Sequence, residues 1–299
     1  MTRSPKYQMR HLLGWLPLFV LPAATFLLVP ADWPRWTLMW LLSVAIYVGC
    51  KWLTWYTARA NNVPCWKQAA YILAWPGLDA DTFMSPTRIP DNARPQVREW
   101  LFAATKLAIG LMLVITAIWW MPNASTYRQG WVGMAGIVFT LHFGLFDLLS
   151  CLWRSVGVDA RPLMNWPLLS ASVSEFWGKR WNRAFRDLTH RFLFRPLTSR
   201  CGPQVALGLG FLFSGLVHEF VITVPAGGGY GGPTLFFLIQ GLAIFIERST
   251  VGRNIGLGIG VRGWLFTVCS MLLPVYWLFP PAFAEGIIVP FLAALGTKP

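Results

Sequence analysis

The chain has 299 residues, of which 55% are hydrophobic and only 12% charged, about half the charged share of a soluble globular domain. A formal charge of +13 would suggest nucleic acid in a soluble protein, but once the apolar runs are assigned no recognition module is left over, which argues against that class. Eighteen tryptophans and 21 phenylalanines suit lipid-facing and interfacial surfaces. The composition is that of an all-α polytopic membrane protein, a helical bundle forming one domain over residues 1–299.

Taken in order, the first apolar run is His11 to Val29, preceded by Arg3, Lys6 and Arg10, and it reads as an anchor because further spans follow. The second is Trp36 to Tyr56, again near the roughly 20 residues a bilayer core requires. Cys65 to Leu78 is shorter and bounded by Pro64, Pro76 and Gly77, so it is expected to be interfacial or re-entrant. Asp79 to Arg98 is a polar surface loop. Spans follow at Trp100 to Met121 and Trp131 to Trp153, then a long segment from Arg154 to Gly202. The remaining spans are Pro203 to Val224, Pro233 to Ile246, Trp264 to Phe279 and Phe283 to Leu295, giving eight.

The basic residues fall in alternate loops. The segment from Arg154 to Arg200 alone holds nine Lys and Arg, and the positive-inside rule then places it, the 56–100 segment and both termini on the cytoplasmic side. An arginine-rich, lysine-poor composition favours a bacterial inner membrane, with the endoplasmic reticulum as the eukaryotic equivalent. Such basic surfaces also attract anionic lipid head groups. The cysteines Cys50, Cys65, Cys151, Cys201 and Cys269 show neither disulfide nor metal spacing, so no metal is expected.

Two pieces carry chemistry. Ser172-Val173-Ser174-Glu175 has the form of a capping box. From it Trp177, Trp181, Ala184, Phe185, Leu188 and Phe192 fall at helical spacing, predicting one continuous apolar stripe, with Lys179, Arg180, Arg183, Arg186 and Arg191 over the rest of the surface. Such a helix lies in the membrane interface. Asn182 sits at the border of the two faces, where an amide can point into a cavity. In the next span His218 lies about 15 residues past Pro203, or roughly 22 Å along a helix, well inside the hydrocarbon core. An ionisable group at that depth marks a functional site, and a neutral imidazole there can serve as general base. Glu219 is turned about 100° away and is expected to pair with a group on another span. His142 and Asp147 are five residues apart and read as supporting partners or interhelical glue. His190 is expected to be solvated or lipid-facing, and His11 to lie at the membrane boundary.

Phe176-Trp177-Gly178-Lys179-Arg180-Trp181-Asn182, followed by Ser214 and His218, resembles the wax synthase-like branch of the membrane-bound O-acyltransferases. There a basic F-W-x-R-R-W-N motif carries the asparagine and a later S-x-x-x-H motif the catalytic histidine. Lys179 stands where arginine is usual, and the close match covers about a sixth of the chain. The resemblance implies a tunnel reaching His218, acyl-CoA as cosubstrate with no bound cofactor, and a lipophilic alcohol as acceptor. Asn182 would position the thioester or its oxyanion. The cations around it, Lys179, Arg180, Arg183 and Arg186, suit the phosphates of coenzyme A. Trp177, Trp181 and Ser214 complete the expected substrate site. A sterol, a diacylglycerol or a glycan is an alternative acceptor, a homodimer is compatible with the reading, and a small lipid or solute transporter is the competing class.

Overall fold

A computed structural model describes residues 5–59, 62–121 and 125–296, with backbone only for 5–12. The expectations for the surroundings of His11 and for the sides on which the termini lie fall outside the described residues. Within them every regular element is helical.

Each of the eight apolar segments is helical. They are α1 (Pro5–Leu28), α2 (Arg35–Tyr56), α4 (Asp91–Trp120), α5 (Thr126–Ser155) and α6 (Arg183–Ala226). Then come α7 (Gly232–Arg248), α8 (Gly260–Leu278) and α9 (Pro281–Gly296). Cys65–Ala74 forms α3 between the second and third of these. Among the described residues five of the eight, α2, α4, α5, α6 and α8, are long and apolar enough to cross a membrane. This is an integral membrane protein. Of the others, α7 runs 17 residues, and the apolar stretches Leu13–Leu28 of α1 and Pro281–Gly296 are also shorter.

Sequential helices pair, α1 with α2, α4 with α5, and α6 with α7, while α9 closes against α5 and α2. Glycines permit the closest approaches. A Cβ at Gly215 of α6 would lie 2.7 Å from the Cα of Thr234 in α7, so those backbones touch where only hydrogen fits. Several helices also contain a widened π turn, including Phe139–Leu145 in α5 and Glu219–Thr223 in α6. Such turns add a residue without ending the helix and cluster at functional sites.

Three apolar clusters hold the bundle. One joins Met39 of α2, Met134 of α5, Ile222 of α6 and Ile287 of α9. A second, on the side of the long basic segment, gathers Tyr71, Trp75, Phe83 and Leu163 under Ala184 and Leu188 of α6. The third packs Val173 and Trp177 against Phe211 of α6 and Phe237 of α7. The predicted stripe is therefore divided between two protein clusters: Trp177 belongs to the third, and Ala184 and Leu188, each 6% exposed, belong to the second.

Candidate active site

The motif opens as the capping box predicts, though only half of the box closes as drawn. Ser172 Oγ accepts from the Glu175 N–H at 2.9 Å, but the Glu175 carboxylate reaches one residue further back and takes the N–H of Ala171 at 2.9 Å. The helix Val173–Glu175 widens into a π turn at Phe176–Arg180, and the Trp181 N–H closes it on the carbonyl of Phe176 at 2.8 Å. Then it stops. Trp181 is extended (φ −94°, ψ 131°) and Asn182 is left-handed (φ 40°, ψ 61°). The expectation of one continuous helix from Ser172 through Phe192 is corrected here: the chain makes two helices with a sharp turn at Asn182.

Asparagine suits this turn because its short polar side chain tolerates the left-handed region and caps helices. Its Oδ1 accepts the Phe185 N–H at 3.2 Å, capping the start of α6. The backbone is stitched to a neighbouring loop, with Arg183 N–H on Leu163 O at 2.9 Å and Asn165 N–H on Arg180 O at 2.8 Å. With Oδ1 engaged, the Nδ2 amide is the part of Asn182 left to act as a donor.

Beyond this arm, α6 turns at Gly202 (φ 81°, ψ 164°), a conformation almost confined to glycine, and runs on to His218. The imidazole Nδ1 lies 2.7 Å from the carbonyl of Ser214. A carbonyl only accepts, so Nδ1 carries a proton, and in the neutral imidazole Nε2 keeps its lone pair. Ser214 thus orients His218 through its backbone, while its hydroxyl donates to Gly210 O at 3.0 Å. Phe237 of α7 packs on the imidazole with ring centroids 4.5 Å apart.

Asn182 and His218 border one cavity of about 670 Å³, within the range of small-molecule sites. Trp177, Trp181, Arg186 and Ser214 also line it. Leu207, Phe211, Val217 and Val221 supply an apolar wall from α6, and Arg186, His190 and Arg248 supply polar groups.

Three of the predicted cations stand elsewhere. Lys179, Arg180 and Arg183 are not on this wall. Arg180 donates to Glu175 at 2.8 Å and to the carbonyls of Asn165 and Trp166 at 3.2 and 3.3 Å, so it braces the turn. Burial alone would raise Glu175, but the Ala171 N–H and the Arg180 guanidinium outweigh it and hold the carboxyl below its usual range. Arg183 borders a smaller pocket of about 270 Å³ with Asp79, Asp159, Arg161 and Asp187. Arg186 borders both cavities.

The supporting residues sort by geometry. Glu219 accepts the Thr234 N–H of α7 at 3.1 Å and the Thr223 hydroxyl at 2.6 Å, the link to another helix that its position predicts. Asp147 pairs with Lys106 of α4, tying α5 to α4. His142 stacks nearly parallel on Trp181 (13°, 6.5 Å) and so backs the motif turn without bordering the cavity. His190, expected to be solvated or lipid-facing, is exposed yet borders the cavity and stacks on Phe194 at 5.8 Å. Its spacing was the available signal, since it follows Arg186 by four residues on the same helical face.

Residues 160–239 match the model of the Membrane bound O-acyl transferase family. The chain is 29% identical over 229 residues to a probable long-chain-alcohol O-fatty-acyltransferase 3 of Arabidopsis thaliana, an alignment covering 69% of the chain and 63% of that protein. It is 26% identical over 212 residues to the probable enzyme 8 of the same series, covering 65% and 60%. Against the long-chain-alcohol O-fatty-acyltransferase of Simmondsia chinensis it is 30% identical over 139 residues, covering 42% and 39%. The chain thus spans 60% and 63% of the length of the two Arabidopsis relatives. The matched segment holds the whole Asn182 turn and His218, and the chain is similar to the membrane-bound O-acyltransferases and to proteins named long-chain-alcohol O-fatty-acyltransferases.

Proposed function

We propose that this protein transfers a fatty acyl group from acyl-CoA to the hydroxyl of a long-chain alcohol. The observation that carries the reading is the shared cavity: an imidazole with its Nε2 lone pair free and an amide donor border one largely apolar chamber. The alcohol O–H gives its proton to His218 Nε2 as the oxygen attacks the thioester carbonyl. The Asn182 amide donates to the oxygen on which charge develops, an interaction worth about 3 kcal/mol where it is lost. Collapse of the tetrahedral intermediate breaks the C–S bond, and the imidazolium returns its proton to the departing sulfur. Ester and free coenzyme A thiol are the products, with no covalent enzyme intermediate.

The polar edge of the chamber, Arg186, His190 and Arg248, suits the phosphate-bearing part of coenzyme A, and its apolar wall suits an acyl chain. We place these basic groups on the cytoplasmic side, with both termini, in a bacterial inner membrane or the endoplasmic reticulum. A sterol acceptor is the second reading, since one relative, 26% identical over 164 residues, is named an acyl-CoA–sterol O-acyltransferase. The experiment is ester formation from radiolabelled acyl-CoA in membranes holding the parent protein, His218→Ala or Asn182→Ala, with a long-chain alcohol or a sterol offered. Ester in the parent alone supports the mechanism, and the preferred acceptor decides between the two readings. Equal ester formation in all three would remove both residues from the chemistry. Transport of a lipid or solute without ester would favour the other class.

A further inference from the structure

Glu247 is 5% exposed, ends the apolar run of α7, and has no role in the acyl-transfer scheme. Its Oε2 accepts the backbone N–H of Val173 at 2.5 Å and of Ser174 at 3.4 Å. These are the first two residues of the motif helix, whose N–H groups have no partner within the helix. A carboxylate is the strongest acceptor for them and also meets the positive end of the helix dipole. The next residue, Arg248, donates through Nε to Ser174 Oγ at 3.0 Å. Ser174 and Arg248 both border the cavity that holds His218. The aliphatic part of Glu247 rests near Gly258, where an added Cβ would lie 3.6 Å from its Cγ.

The consequence is geometric. His218 is held in place by Phe237, and Trp177 packs on the same ring at 5.6 Å. Phe237 and Glu247 belong to one helix, α7. That helix therefore touches the imidazole with one side chain and grips the start of the asparagine motif with another. Asn182 caps α6, but that helix bends at Gly202 before it reaches His218, so beside the backbone bonds to Leu163 and Asn165 the distance between the two depends on what fixes the Val173–Arg180 segment.

We infer that Glu247 is a positioning residue: its buried carboxylate latches the motif helix to α7 and so sets Asn182 opposite His218. The inference rests on the acyl-transfer reading for its effect on rate, but not for its effect on structure. One oxygen accepts both N–H groups, so glutamine can replace the carboxylate and alanine cannot.

The test compares Glu247→Ala and Glu247→Gln with the parent protein in membranes, reading kcat, KM for acyl-CoA, thermal melting and the rate of tryptic cleavage after Lys179. Expected for Glu247→Ala is a kcat lowered tenfold or more, with KM within about threefold and the pH profile of kcat unchanged in shape. Cleavage after Lys179 should quicken about tenfold, and Glu247→Gln should restore both values to within about threefold of the parent. Unchanged kcat and cleavage in Glu247→Ala would overturn the latch. So would a loss of kcat that glutamine fails to restore, or one that only tracks a lowered melting temperature. If cleavage responds as expected while the parent forms no ester, the latch stands and the acyl-transfer reading falls.

Discussion

Asn182 meets three demands at one position: a left-handed backbone, a cap for the Phe185 N–H, and a place on the cavity wall, where the proposed mechanism uses its amide as a donor. They can be separated. Asn182→Asp keeps an acceptor for the cap and the tolerance for φ above zero, but removes the Nδ2 donor and adds charge. It is expected to melt within about 0.5 kcal/mol of the parent while ester formation falls by 10² to 10³. Asn182→Ala loses the cap as well, at a further cost of about 1 kcal/mol. Melting curves beside initial rates decide the matter, and an active Asn182→Asp protein would end the donor role. At Glu175 the sign is fixed by its depressed titration. The stability it adds is complete above the ordinary glutamate value and is lost as pH falls through its lower folded value. Glu175→Gln should lower the melting temperature most in the neutral region and converge on the parent as pH falls through that window, so that its acid limb is flatter. A parallel downward shift at every pH would show that Glu175 acts by packing instead.

At the scale of elements, the sequence made eight apolar helices legible, five of them of membrane-crossing length, and put a boundary at Gly202-Pro203, where α6 makes its elbow, but it hid the break in the motif. Apolar runs near 20 residues mark bilayer-length helices whatever their partners, and Gly202-Pro203 marked that boundary because both residues are poor in a helix interior. The tryptophan-leucine stripe matched a continuous helix just as well as the two helices present, since a single left-handed residue barely disturbs the register. The π turn at Phe176–Arg180 leaves no signature in a periodicity of 3.6. Glu247 was invisible for a different reason: an acidic residue at the end of an apolar run looks like a span boundary until the loop that it grips is placed beside it. The elbow itself makes a prediction. No atom lies within 4 Å of a Cβ built on Gly202, so Gly202→Ala meets only backbone strain, about 1–3 kcal/mol. Gly208→Ala, also in open space but helical, should be neutral or stabilising by up to about 1 kcal/mol. Equal melting shifts for the two would mean that the elbow is not held in the folded protein.

The whole molecule depends on how irregular backbone is supported beneath the basic arm. The segment after α3 is extended at Trp75 (φ −131°, ψ 119°), and inside a membrane protein its carbonyls must find partners within the protein. They are taken by side chains from two spans: Ala74 O by Trp153 Nε1 at 2.9 Å, and Trp75 O by Tyr47 Oη at 3.1 Å and Lys51 Nζ at 2.6 Å. Lys51 also donates to Gly77 O and lies 3.5 Å from the centre of the Tyr71 ring, at 2% exposure. This buried amine pins the 75–78 strap to α2, and Trp75 and Leu78 of the strap share a cluster with Ala184 and Leu188 at the base of α6. Arg186, which borders the cavity, lies between those two residues in the chain. Lys51→Met matches the length of the side chain but leaves the Gly77 carbonyl without its donor, and each buried acceptor so stranded costs about 1–3 kcal/mol. The expected result is a melting loss of that size, with faster amide exchange in peptides covering both 74–79 and 183–192, because the strap and the arm share one apolar cluster. Exchange confined to 74–79 would mean that the arm stands without the strap, and the chamber wall at Arg186 would then have to be held from the side of α7 and the motif helix instead.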